Sequence, residues 1–392
     1  MKYDFDMIIE RNNTGSIKWD GREKTNNLNI LPMWVADMDF PSPKPVVDAI
    51  VKRAQHPIYG YPTALASCYE AVIEKVERDY GWKIQKDWIV FLDGVVGGLY
   101  NSVKAFSQEE EEVIIQEPVY TPYRSAITDS NRIVKNNELY FDGDRYTINY
   151  DDLSEYFNTP NHSKLLLLCS PHNPICRVWS KDELTKLGSL CIKNNCLVIS
   201  DEIHCDLIFK NNTHTTFGSI SPEFADCSIT FISPSKTFNI AGLCEAVAII
   251  PNKDLRDKFV IARNGSSSGN VFGKVALEAA YKYGNEYLLQ LNEYLEGNFN
   301  YLADYIETNI PKIKVIKSEG TYLAWLDMRH LGLNSKEITD FLLKEAGLQL
   351  NGGEIFGKSG EGFQRMNIGC PRAYIKEALT RLETALKNNN LI

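Results

Sequence analysis

The sequence predicts an α/β fold in which a large domain with a mostly parallel sheet is followed by a smaller α+β domain. Three observations carry this. Continuous apolar runs such as Val113-Ile114-Ile115 and Leu165 to Cys169 have the pattern of strands buried on both faces. These runs alternate with amphipathic helical segments, the signature of parallel strands joined by helical crossovers. The 392 residues make two or three domains at a typical ~150 residues each. No repeat, low-complexity tract or Pro/Gly/Ser-rich linker divides them, so the domains are expected to pack intimately.

The elements follow in order. Ile89 to Leu92 reads as a strand, then a glycine turn leads into a helix over Gly98 to Phe106. Val113 to Ile115 and Leu165 to Cys169 are the next strands. Ser180 and Glu183 form a capping box that opens an amphipathic helix reaching about Asn194. Cys196 to Ile199, Ile229 to Ile232 and Ala246 to Ile250 repeat the strand signal. From Asn285 to Asn309, Leu288, Leu291, Leu295, Phe299 and Leu302 recur at three- and four-residue intervals, one long helix. Strand patterns at Lys314 to Ile316 and Tyr322 to Leu326 precede a helix over Ser335 to Gly347 and another after Pro371. The expected division is a large domain over 48–290 and a small domain combining 1–47 with 291–392.

Composition narrows the function. With 44% hydrophobic and 24% charged residues the chain is an ordinary folded protein. Its net charge of −9 argues against general nucleic-acid or anionic-membrane binding. The longest aliphatic stretch, Leu165 to Leu168, is far short of the roughly 18 apolar residues of a membrane helix. Met1 to Asp6 lacks a basic segment followed by an apolar block, so no secretory signal is expected. Nine cysteines without framework spacing fit thiols in a reducing cytoplasm. A cytoplasmic enzyme is the expectation.

Two segments bear chemistry. Ser233-Pro234-Ser235-Lys236-Thr237-Phe238-Asn239 follows a predicted strand. Its lysine is either an ordinary solvated cation or a Schiff-base amine, with Ser233, Ser235 and backbone N–H groups holding a phosphate. Val198 to His204 places Asp201 just past a buried strand, where α/β sheets present ligands. Asp201 either caps a local turn or keeps a pyridine nitrogen protonated, as pyridoxal phosphate requires of a carboxylate.

With Asn173 in Ser170-Pro171-His172-Asn173-Pro174 added, the sequence resembles the class I/II aminotransferase superfamily of fold-type I pyridoxal-phosphate enzymes. More narrowly it resembles the cystathionine β-lyase and cystalysin-type C–S lyase branch. The resemblance runs nearly end to end, through Ser16 to Asp20, Met33 to Phe40, Gln116 to Tyr120, Asp201 to His204, Ser235 to Asn239 and Glu319 to Leu323. It implies an aspartate-aminotransferase-like fold, a seven-stranded sheet, and pyridoxal 5′-phosphate as cofactor. It implies that Lys236 binds the cofactor and moves the Cα proton, and that Asp201 pairs with the pyridine nitrogen. Asn173 would hydrogen-bond O3′, and Tyr120 would stack on the ring and offer its hydroxyl in catalysis. Gly94, Val95 and Val96 at a helix start, with Ser233 and Ser235, would hold the phosphate. Tyr61 would reach the phosphate of a neighbouring subunit, which implies a homodimer. Arg365 would grip the substrate carboxylate as a planar fork, assisted by the backbone N–H of Ala36. His204 is either a residue that tunes O3′ or a satisfied core histidine.

Departures from the family pattern are Cys176 in place of a glycine, Cys244 where many members carry a phosphate-binding arginine, and Thr121 in place of a second tyrosine. A nicotinamide enzyme would need Gly-x-Gly-x-x-Gly, which Gly94 to Gly98 does not provide, and no metal-ligand spacing such as His-Glu-x-x-His occurs. The resemblance thus implies α,β-elimination from L-cystathionine or another L-cysteine S-conjugate. The alternatives are transamination of an L-amino acid and a non-catalytic, cofactor-binding regulator.

Overall fold

In a computed structural model, which describes residues 2–25, 27–263 and 268–392, a seven-stranded sheet forms the centre of the chain. Its order is Ile89–Leu92, Ala246–Ile249, Ser228–Ile232, Leu197–Asp201, Leu165–Cys169, Glu112–Ile115, Ile133–Asn136. Only Ala246–Ile249 runs antiparallel to its neighbours; the other pairings are parallel. The other six strands therefore direct their C-terminal ends to one edge.

Both faces of this sheet are covered, as the apolar runs require. Leu165 and Leu167 pack with Val113, Ile199, Leu99 and Val103 on one face. Leu166 and Leu168 pack with Val198, Trp179, Leu184 and Leu187 on the other. The Lys181–Lys193 helix begins at the expected capping box: the Ser180 hydroxyl accepts from Glu183 N, and the Glu183 carboxylate accepts from Ser180 N. The helix expected from Gly98 begins earlier, at Val95–Phe106, because glycines at 97 and 98 mask its first turn. Gly98 is needed there: a Cβ would lie 2.9 Å from the Phe231 ring, so the glycine lets the helix lie close against the sheet.

A second, four-stranded antiparallel sheet has the order Lys314–Val315, Leu323–Asp327, Phe363–Asn367, Asn351–Gly352. The Asn285–Asn309 helix has the expected limits and buries Leu291, Leu295 and Leu302. The Ser335–Lys344 helix stops short of Gly347, whose φ of +62° is left-handed. Near the N-terminus, Leu31–Pro32 pairs in parallel with Leu348–Gln349. Among the described residues no helix is long and apolar enough to cross a membrane.

Candidate active site

The segments that follow the C-terminal ends of five sheet strands carry Gly94, Tyr120, Asn173, Asp201 and Lys236 to one edge. There a cavity of about 170 Å³ is lined by these five together with Ala36, Val95, Val96, His204, Ser233 and Ser235.

Lys236 lies in the short Pro234–Thr237 helix, capped by the Ser233 hydroxyl, which accepts from Ser235 N at 3.1 Å. Its Nζ donates to the Ala36 carbonyl at 2.8 Å. Burial, reinforced by the Arg365 cation, pulls the Lys236 ammonium down to about 8, while Asp37 and Asp201 pull the other way. A fraction of the amine is therefore neutral near physiological pH, as a nucleophile or base must be.

Asp201 ends its strand with the carboxylate buried. Its Oδ1 accepts from Ile203 N at 3.1 Å and its Oδ2 from the Tyr123 hydroxyl at 2.9 Å. Burial pushes Asp201 up to about 6 against the help of those two donors and of the Lys236 charge.

Arg365 occupies the Phe363–Asn367 strand, opposite Trp325, and is 4% exposed. Its guanidinium donates to Asn173 Oδ1 (3.0 Å), the Trp34 carbonyl (2.9 Å) and Asn351 Oδ1 (2.8 Å), and lies 4.9 Å from the centre of the Phe356 ring. Its Nε is buried without a partner, and it forms no ion pair among the described residues. Burial draws this guanidinium down to about 10.

The Val95–Phe106 helix starts at the cleft, with Gly94 at its N-cap. Val95 and Val96, in its first turn, line the cleft, where the helix dipole is positive. Ser233 Oγ lies 2.9 Å from Ser235 Oγ and 2.8 Å from the Glu245 carbonyl. Cys244 lines the same cleft.

His204 is buried, its Nδ1 has no hydrogen-bond partner among the described residues, and its ring meets Tyr322 edge-on at 5.9 Å. Burial, with Lys236 and Arg365 nearby, lowers it to about 3, so it is neutral. Tyr120 is half-buried and raised by desolvation, which keeps its hydroxyl protonated. Tyr61 stands outside this cleft and is fully exposed.

Several contributors escaped the sequence reading. Tyr123 holds Asp201, Asn351 holds Arg365, and the Tyr322 hydroxyl donates to the Ala36 carbonyl at 2.8 Å. Tyr322 lay within a segment that carried the resemblance, and Tyr123 three residues beyond another. Asn351 gave no sequence signal.

This sheet, with a lysine and an acid at its C-terminal edge, defines a protein of the aspartate-aminotransferase-like fold. The chain belongs to the aminotransferase class I and II family, whose model matches residues 30–382. It is 40% identical over 388 residues to cystathionine beta-lyase PatB of Bacillus subtilis (strain 168), covering 97% of this chain and 99% of that one. Cystalysin from Treponema denticola, whose structure contains a pyridoxal 5′-phosphate cofactor, matches with a TM-score of 0.96 and 37% identity over 99% of this chain and 100% of that one. The pyridoxal-phosphate-bound C–S lyase from Staphylococcus hominis matches with a TM-score of 0.92 and 35% identity over 98% of each chain.

Proposed function

We propose that this chain is a pyridoxal-phosphate-dependent C–S β-lyase, which performs α,β-elimination on L-cystathionine or related L-cysteine S-conjugates. The observation that carries the reading is the convergence of Lys236, Asp201 and Asn173 on one cleft, with Arg365, which has no carboxylate partner among the described residues, hydrogen-bonded to Asn173 behind its wall. The cleft fits the cofactor in three respects. Asp201 is a buried carboxylate that forms no ion pair among the described residues, the complement of a protonated pyridine nitrogen. The Val95–Phe106 helix start and the serines at 233 and 235 suit a phosphate. Arg365 occupies the Asn173 amide oxygen, so the amide's N–H donors remain for O3′.

Bound at Lys236, pyridoxal phosphate supplies an electron sink for charge developing at the substrate Cα. The protein residues do the rest. Arg365 binds the substrate α-carboxylate and thereby fixes which Cα substituent points to Lys236. The Ala36 N–H assists at the same carboxylate. Lys236, when neutral, takes the Cα proton. Asp201 would hold the protonated ring nitrogen of the bound cofactor. The Cβ–S bond then breaks, sulfur leaves with the electron pair, and the Tyr120 hydroxyl or the Lys236 ammonium protonates it. Water completes the conversion of the three-carbon fragment to pyruvate and ammonia, with homocysteine the thiol from cystathionine.

With the domain division given above, 48–290 against 1–47 with 291–392, the cleft is built by the large domain and bordered by Ala36 of the small one. Tyr61, flanked in sequence by exposed Ile58, Tyr59 and Leu65, supports a homodimer in which it serves the partner's phosphate site. The thiol-rich sequence supports a cytoplasmic setting.

The test is release of pyruvate and homocysteine from L-cystathionine with no 2-oxo acid added. Sustained turnover is expected. Turnover that stops after one equivalent and resumes with a 2-oxo acid would make the protein an aminotransferase.

A further inference from the structure

Segment 34–40 crosses the mouth of the cleft without helical or strand structure, so its backbone groups must find partners elsewhere. Its carbonyls at 34 and 36 turn inward. Trp34 O accepts from Arg365 at 2.9 Å, and Ala36 O accepts from both Lys236 Nζ and the Tyr322 hydroxyl at 2.8 Å. The two groups proposed for substrate carboxylate binding and proton transfer are therefore spaced by one short strap.

Three anchors hold that strap. Asn367, two residues from Arg365, donates to Val35 O and Asp37 O at 2.5 and 2.6 Å. Asn239, three residues from Lys236, accepts from Met38 N at 3.0 Å and donates to Met38 O and Phe40 O at 2.8 Å. The third anchor is ionic. Arg11 bridges Asp37 and Asp39 at 2.6 Å each, and buried Lys18 meets Asp39 at 2.5 Å and Asp37 at 3.6 Å.

We infer that Asp37 is a positioning residue for Lys236: held by Arg11 and Lys18, it fixes the Ala36 carbonyl as the resting acceptor of the free lysine amine. The inference rests on Lys236 being the reactive lysine. Asp37 differs from the other anchors because its carboxylate also acts on the amine electrostatically, opposing Arg365 in concert with Asp201. The remaining groups around the amine are the neutral His204 and the protonated Tyr120 and Tyr322. The strap thus orients the amine and keeps its proton affinity from falling further.

The experiment compares the full-length chain with its Asp37→Asn and Arg11→Met variants. Acylation of Lys236 by trace acetic anhydride, mapped by mass spectrometry across pH in cofactor-free protein, reports the amine's titration midpoint. Steady-state kinetics on L-cystathionine are measured after loading with pyridoxal phosphate. Asp37→Asn removes the negative charge, so the ammonium is disfavoured and the midpoint should move down by roughly half a pH unit. Its kcat should fall about tenfold with KM changed less than about twofold, as for a misplaced proton-transfer group. Arg11→Met releases the strap but leaves the charge, so kcat should fall without a downward midpoint shift.

A folded Asp37→Asn protein with the parent midpoint and kcat overturns the inference. So do two variants that only lower the melting temperature. If Asp37→Asn does not fold, unchanged kcat in Arg11→Met overturns it. Failure of the Lys236 assignment is distinguishable: borohydride reduction of the loaded protein would then mark a different lysine.

Discussion

Replacing Arg365 by lysine keeps a positive charge and removes the planar guanidinium. Of the five N–H donors of an arginine, three are spent on Asn173, Trp34 and Asn351, which leaves two for a substrate carboxylate. A lysine ammonium has three donors in all, enough for those protein acceptors and none beyond. The substitution therefore withdraws the charge-assisted hydrogen bonds to the substrate, or else leaves a buried carbonyl or amide oxygen unpaired. Either outcome costs about 1.5–3 kcal/mol, which is about ten- to hundredfold in an equilibrium constant. The loss falls on binding of the amino acid, so KM for L-cystathionine should rise by that factor while the visible band of bound cofactor stays. Initial-rate kinetics with and without the substitution, alongside absorbance spectra, measure both. A kcat/KM within threefold of the parent would refute the argument and move carboxylate recognition elsewhere.

Borohydride should fix pyridoxal phosphate on Lys236, and Lys236→Ala should keep the fold while losing turnover; a tryptic adduct on any other lysine would remove it from the mechanism. The third expectation concerns acid. His172 is buried edge-on to Trp179, with Nε2 2.9 Å from the Pro118 carbonyl and Nδ1 unpaired, and burial lowers it from 6.5 to about 4. A depressed histidine stabilises the fold above its unfolded value and loses that contribution as pH falls toward its folded value. Between pH 7 and pH 5 this one group should remove about 2 kcal/mol. Urea unfolding of His172→Gln should show a shallower decline over that interval, and an unchanged decline would show that His172 is not protonated on unfolding there.

How much of this was legible depends on whether a signal was local. The strand Leu165–Cys169 and the helix Asn285–Asn309 were read with their correct limits, because each has a pure pattern: one apolar throughout, the other periodic. The edge strand Ile133–Asn136 was not read. It faces solvent along one side and carries Lys135 and Asn136, so no apolar run marks it. The same division holds at the cleft. Lys236, Asp201 and Asn173 sit in compact motifs after strands, and the fold brings them together. Tyr123 and Asn351 act on groups 78 and 14 positions away, and such pairings exist only once the sheets have assembled. His204 was ambiguous in sequence because burial and an unpaired Nδ1 are properties of its surroundings.

The reversed strand Ala246–Ile249 has a consequence for how the cleft can change. Running against its neighbours, it begins where Ser228–Ile232 ends, so the chain between them leaves and re-enters the sheet at a single rim. The Ser233 hydroxyl and the Glu245 carbonyl, 2.8 Å apart, close the neck of that excursion. A crossover to a parallel strand would have carried the chain across the whole sheet and tied this stretch to a helix on its far side. Instead, the residues from 234 to 244 form one excursion beyond the rim, tied down by Thr237 to Asp206 and by Asn239 to Met38 and Phe40. Substitutions along it, as at Cys244, can remodel this wall of the cleft without changing a single register in the sheet beneath.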